Sequence, residues 1–231
     1  MEDYGIDEPP SQLRLVATLL GVVLLAAFNM LLLELLRERM PAEVKDQAAW
    51  SASTDFFMNC IYLVEALVLC GAAWTSSGMG VGSMKAWKRY VYHIAFVWIM
   101  PPLVVLSLYP ALTTKPFHNW PVAWWVLGSI AQELLFTGFI YGRLVSVFGA
   151  PSSGALGAFS APMLVTSFLY ALSHWPNLQI VGHGLTPQYV LFQFVYSFVG
   201  FAWMLNIRRW TGSIWPGVLN HVLVNFLATA V

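Results

Sequence analysis

The sequence predicts an all-α polytopic membrane protein of about seven transmembrane helices, with six to eight as the range, enclosing a polar site inside the bilayer. Composition is the first reason. Hydrophobic residues make up 58% of the 231-residue chain and charged residues only 10%. The mean hydropathy is +0.68, a value that soluble domains of this length do not normally reach. The second reason is that apolar runs of roughly 18 residues or more recur along the whole chain. The third is the distribution of acids. Ten of the 11 carboxylates lie at or before Glu65, and Glu133 stands alone after it, inside an apolar run.

Taken in order, the runs fall at about 12–36, 55–77, 90–111, 120–142, 155–174, 187–206 and 213–230. The acidic segment 1–11 precedes the first run, and no small-residue cleavage pattern follows that run, so the sequence predicts a retained helix and not a signal peptide. The second run carries Glu65, Asn59 and both cysteines. Cys60 and Cys70 lie ~15 Å apart along a helix, too far to bridge. Glu65 reads as a structural or partner residue. Small residues and prolines at 149–162 mark the fifth run as short, broken or re-entrant. Tryptophans 120, 124, 125, 175, 203, 210 and 215 suit interfacial belts. Gly128 and Gly138, each five residues from Glu133, favour close helix approach beside it. No repeat or linker divides the chain, so residues 1–231 read as a single integral membrane domain.

The charge balance is even and no basic run interleaves with aromatics, which gives nucleic-acid binding no support. The lipid bilayer is the expected partner. A charged side chain at the bilayer centre costs roughly 2.5–3.5 kcal/mol on insertion scales, so Glu133 reads as functional. Among the histidines, His93, His118 and His183 fall in or beside polar loops and read as interfacial. His174 and His221 differ, because each has a partner four residues away on one helix face: Tyr170 before His174, and Asn225 after His221. Ser173 projects ~100° away from His174 on a helix and reads poorly as a nucleophile.

In this order, Gln132-Glu133, Tyr170-x-x-x-His174 and His221-x-x-x-Asn225 resemble the CAAX-protease and bacteriocin-processing family of intramembrane endopeptidases, which includes the Ras-converting prenyl-protein proteases. The family pattern is a Glu-Glu pair with Arg four residues after its second Glu, then Phe-x-x-x-His, then His-x-x-x-Asn. The stretch SIWPGVLNHVLVN at 213–225 is similar to the last motif with its Trp-Pro lead-in. The resemblance spans residues 120–228 and departs from the pattern at three places: Gln132 for the first Glu, Thr137 for the Arg and Tyr170 for the Phe. In the family the first acid is usually assigned as catalytic. Glu133 therefore either takes over the chemistry or leaves the chain silent.

The resemblance implies a glutamic-type, metal-free peptidase acting near the C-terminus of a membrane-anchored protein substrate, in a multi-pass protein of the cell membrane. Glu133 with His174 would activate the water, and His221 with Asn225 would stabilise the oxyanion. Gln132, Thr137 and Tyr170 are secondary site residues. No cofactor is expected. Zinc on Glu133, His174 and His221 is the alternative, since two His and one Glu form a known catalytic zinc set, but the sequence lacks the His-Glu-x-x-His helix. Two other readings compete: a catalytically silent relative acting as a membrane binding or immunity factor, and a small transporter using Glu65 and Glu133, which would call for repeated halves.

Overall fold

The computed structural model describes residues 12–39, 48–72, 122–151, 159–174 and 187–230. Among these residues there are helices and no strand. They are α1 (Gln12–Arg39), α2 (Ala48–Ala72), α3 (Val122–Gln132), a π-helical segment (Glu133–Ile140), α4 (Tyr141–Phe148), α5 (Ala161–Leu172), α6 (Pro187–Thr211) and α7 (Trp215–Ala230). The expected span at 90–111, the acidic tail 1–11, and His93, His118 and His183 lie outside the described residues.

By length and apolarity alone, α6 qualifies as a spanning helix among the described residues. Shorter apolar helical stretches run over Val16–Leu32, Phe57–Leu69 and Ala161–Leu172. The run around Glu133 is longer than its parts suggest. Gln132 (φ −67°, ψ −43°), Ile140 (φ −60°, ψ −53°) and Tyr141 (φ −60°, ψ −44°) all keep right-handed helical backbone, so α3, the π segment and α4 form one uninterrupted rod. Within it the hydrogen-bond ladder lengthens: the Tyr141 N–H reaches the Phe136 carbonyl, five residues back.

This rod is the axis of the molecule. Ala131, Leu134, Leu135, Phe136, Ile140, Tyr141 and Leu144 are buried along it, and Met58, Tyr62 and Ala66 of α2, Met163 and Tyr170 of α5, and Phe201 and Leu205 of α6 close around them. The first helix is different. Along α1, Val16, Leu20, Val23, Leu24, Phe28, Leu31 and Leu35 are exposed while Val22 and Asn29 are buried. An apolar face of that extent is unfavourable in water and natural against lipid acyl chains.

Two local devices set the helices that carry polar groups. Ser160, in extended backbone (φ −66°, ψ 151°), opens α5, with Pro162 in the first turn where its missing N–H costs nothing. Between α6 and α7 the chain reverses in three residues. Gly212 takes φ +71°, a left-handed position that ends the helix, Ser213 donates its N–H to Thr211 Oγ1, and the Trp215 N–H then donates to Ser213 Oγ. That reversal lays α7 against α3 and α6.

Candidate active site

Glu133 opens the π segment and is fully buried, with 0% of its surface exposed. A buried carboxylate must have its oxygens satisfied, and both are. Thr137 Oγ1 donates to Oε2 at 2.6 Å, from one turn further along the same rod. His221 Nδ1 lies 3.1 Å from Oε1, brought from α7. The close approach of α7 depends on Gly217: a Cβ there would stand 3.1 Å from Glu133 Oε2. His221 keeps 11% of its side chain exposed, so the pair meets the surface on the histidine side.

Gln132 points elsewhere, as adjacent helical positions must. Its Nε2 donates to Asn59 Oδ1 of α2 at 3.1 Å, and its Oε1 accepts from the Tyr170 hydroxyl at 3.1 Å. The same hydroxyl lies 3.1 Å from His221 Nε2. Tyr170 thus spans the angle between the two neighbours on the rod: Glu133 reaches His221 directly, and Gln132 reaches it through the phenol. The phenol ring is itself fixed, stacked on Phe201 at 3.9 Å between centroids and met edge-on by Phe136 at 5.4 Å.

His174 sits at the end of α5, half-buried, with its ring edge-on to Tyr170 at 5.1 Å. Its Nδ1 is 3.1 Å from the Tyr170 carbonyl. A carbonyl only accepts, so Nδ1 carries the hydrogen, and in the neutral ring Nε2 is the lone-pair nitrogen. His174 makes no hydrogen bond to Glu133; the direct partner of the carboxylate is His221. Ser173 Oγ also donates to the Tyr170 carbonyl, at 2.7 Å, which ties that hydroxyl into the helix end. Asn225, one turn beyond His221, donates from Nδ2 to Ser129 Oγ of α3 at 3.1 Å.

All seven residues singled out in the sequence therefore belong to one neighbourhood built from the rod, α5 and α7, and joined to α2 by Asn59. Six of them, all but Asn225, are linked directly or through Tyr170. Three contributors escaped the sequence reading. Asn59 and Ser129 hold Gln132 and Asn225, yet one lies far away in sequence and the other is an unremarkable serine. The third is Arg208, a buried cation on α6. Its guanidinium donates to the Gly138 carbonyl at 3.1 Å and lies over the Tyr141 ring at 5.0 Å, fastening α6 to the π segment. Gly128 behaves as its position suggested: a Cβ there would come within 2.6 Å of Asn59 Nδ2.

Glu65 forms a separate polar contact, accepting from Asn29 Nδ2 at 3.1 Å between α2 and α1. Among the described residues no group of three His, Cys, Asp or Glu side chains is arranged to hold a metal ion.

Neither the curated proteins nor the solved structures gave a match to this chain. Residues 114–227, which contain the rod, α5, α6 and most of α7, match the family model described as type II CAAX prenyl endopeptidase Rce1-like. By that match over its C-terminal half, the chain belongs to the CAAX-protease family of membrane-embedded peptidases.

Proposed function

We propose that this protein is an intramembrane endopeptidase of the glutamic type that hydrolyses a peptide bond near the C-terminus of a membrane-anchored protein, in a multi-pass chain folded as one domain. The observation that carries the reading is the hydrogen bond between Glu133 Oε1 and His221 Nδ1, made by a carboxylate with no solvent exposure. An acid buried among apolar helices is costly to keep unless it is used, and a histidine directly bonded to it forms an acid–base couple.

In this reading Glu133 takes the place usually held by the first acid of the family pair. With the shared proton of the Glu133–His221 couple on the histidine, Glu133 is a carboxylate and accepts a proton from the attacking water, and the Nε2 lone pair of His174, whose ring meets Tyr170 edge-on, is the second basic group. The water oxygen bonds to the scissile carbonyl carbon. The amide of Asn225 supplies a hydrogen-bond donor to the resulting oxyanion, and the Nε2–H of His221, beside the Tyr170 hydroxyl oxygen at 3.1 Å, is shared with it as the second donor. As the carbon–nitrogen bond breaks, the proton held by the Glu133–His221 couple passes to the leaving amine. No step is assigned to a metal; loss of cleavage on chelation and its return with zinc alone would replace this mechanism by one on Glu133, His174 and His221.

The test is in-cell cleavage of membrane-anchored substrates, lipidated and unlipidated, by the wild type against Glu133→Gln and His174→Ala at matched expression. Loss in both variants is the expected result. Equal processing by all three would mean that the polar cluster does no chemistry. One observation favours a second reading, a silent membrane-binding relative: Gln132 stands where the acid is expected and is fully engaged with Asn59 and Tyr170. Cleavage that begins only with Gln132→Glu would establish that second reading.

A further inference from the structure

Two of the three departures from the family motif, Gln132 and Tyr170, turn out to be the two ends of one hydrogen bond. We propose that Gln132 and Tyr170 act as a positioning pair that fixes the hydrogen of His221 on Nε2 and thereby presents Nδ1 to Glu133.

The direction of each bond follows from counting hydrogens. Gln132 spends its amide N–H on Asn59 Oδ1, which leaves Oε1, a pure acceptor, facing Tyr170. A phenol has one hydrogen, and Gln132 Oε1 takes it. The phenolic oxygen can then only accept from the other neighbour at 3.1 Å, so His221 Nε2 must carry a hydrogen. With Nε2 fixed as a donor, the mobile proton of the site lies between His221 Nδ1 and Glu133 Oε1, at 3.1 Å. Whichever of the two holds it, the chain from Asn59 to Glu133 is satisfied at every atom. Reversing the phenol would set two acceptors against each other at Gln132, unless Gln132 and Asn59 both turned their amides.

The surroundings suit a positioning role. The ring of Tyr170 is locked between Phe201 and Phe136, so the hydroxyl has little freedom to leave His221. Phenylalanine at 170 could make the same ring contacts and could not bond to Gln132 or His221. The hydroxyl and the amide thus make sense only together: each gives the other its partner. The contribution of this pair to rate rests on the peptidase reading, but the hydrogen placement on His221 does not.

The experiment uses the full chain in lipid nanodiscs with ¹⁵N-labelled histidine, the His221 signals being assigned by their loss in His221→Gln. In the wild type His221 Nε2 is expected in the protonated range. Tyr170→Phe should move it toward the unprotonated range, as the Nδ1–H form donating to Glu133 gains population. Gln132→Leu should do the same, and the double variant should be no worse than either single one, because both remove one link. Gln132→Glu keeps an acceptor for the phenol and should preserve the wild-type nitrogen pattern. In cleavage assays kcat should fall on the order of 10- to 100-fold in Tyr170→Phe with KM nearly unchanged, part of what a general acid–base group itself contributes. An unchanged His221 pattern in Tyr170→Phe, or additive effects of the two substitutions, would overturn the pair. A wild type that shows the expected nitrogen pattern but cleaves nothing would remove the peptidase reading and leave the pair standing.

Discussion

At the scale of single residues, Glu133 is held on both oxygens and Thr137 is half of that hold. Thr137→Val keeps the shape of the side chain and removes the donor to Oε2, leaving a buried carboxylate oxygen unpaired at a cost of about 1–3 kcal/mol. A lower unfolding temperature and weaker cleavage are expected together in that variant; stability equal to wild type would mean that another group takes over the bond. Asn225 carries a sharper test. If it donates to the oxyanion, Asn225→Ala costs on the order of 100- to 1,000-fold in kcat. Its bond to Ser129 offers the control, since Ser129→Ala removes that contact and leaves the amide in place. A serine variant as damaged as the asparagine variant would reassign Asn225 to helix packing.

At the scale of elements, the site depends on two glycines that let helices meet the rod. Gly217 on α7 abuts the Glu133 carboxylate, and Gly128 on α3 abuts the amide of Asn59. Any side chain at 217 presses on an oxygen that is already bonded, whereas one at 128 presses on the movable end of Asn59. The expected order follows: Gly217→Val abolishes cleavage and lowers stability, while Gly128→Ala displaces Asn59 and loosens Gln132 with the fold intact. Thermal unfolding and cleavage measured on both variants check this, and equal damage from the two would count against it. The buried Arg208 works at the same scale. A lengthened hydrogen-bond ladder at the π segment coincides with a carbonyl, Gly138, that accepts from a side chain of another helix.

At the scale of the whole molecule, α1 turns an apolar face outward while the polar chain around Glu133 lies within an apolar core. Lipid is the expected medium for that outer face. Spin labels placed at Leu20, Leu24 and Phe28 in nanodiscs should be relaxed strongly by oxygen and weakly by a water-soluble nickel complex; the reverse order would mean that α1 faces water. The Glu65–Asn29 contact lies between α1 and α2, and it does not join the Glu133 chain by any hydrogen bond among the described residues.

What the sequence determined by itself was set by cost. Helices are required wherever a long apolar chain crosses lipid, because the backbone must bond within its own segment, so the helical class was legible from composition and run length. Glu133, His174, His221 and Asn225 stood out for the same reason: polar groups in apolar runs are rare, and spacing of four puts a pair on one face. Who bonds to whom was settled by packing. Spacing along a helix cannot say which neighbour it meets, and it gave no sign that His221 would lie directly against the Glu133 carboxylate. It could not find Asn59 or Ser129, whose partners lie 73 and 96 residues away. Nor could it show that Gln132 and Tyr170, two separate departures on two helices, meet in one bond 3.1 Å long. Direction and distance between helices are products of packing, and a linear pattern holds neither.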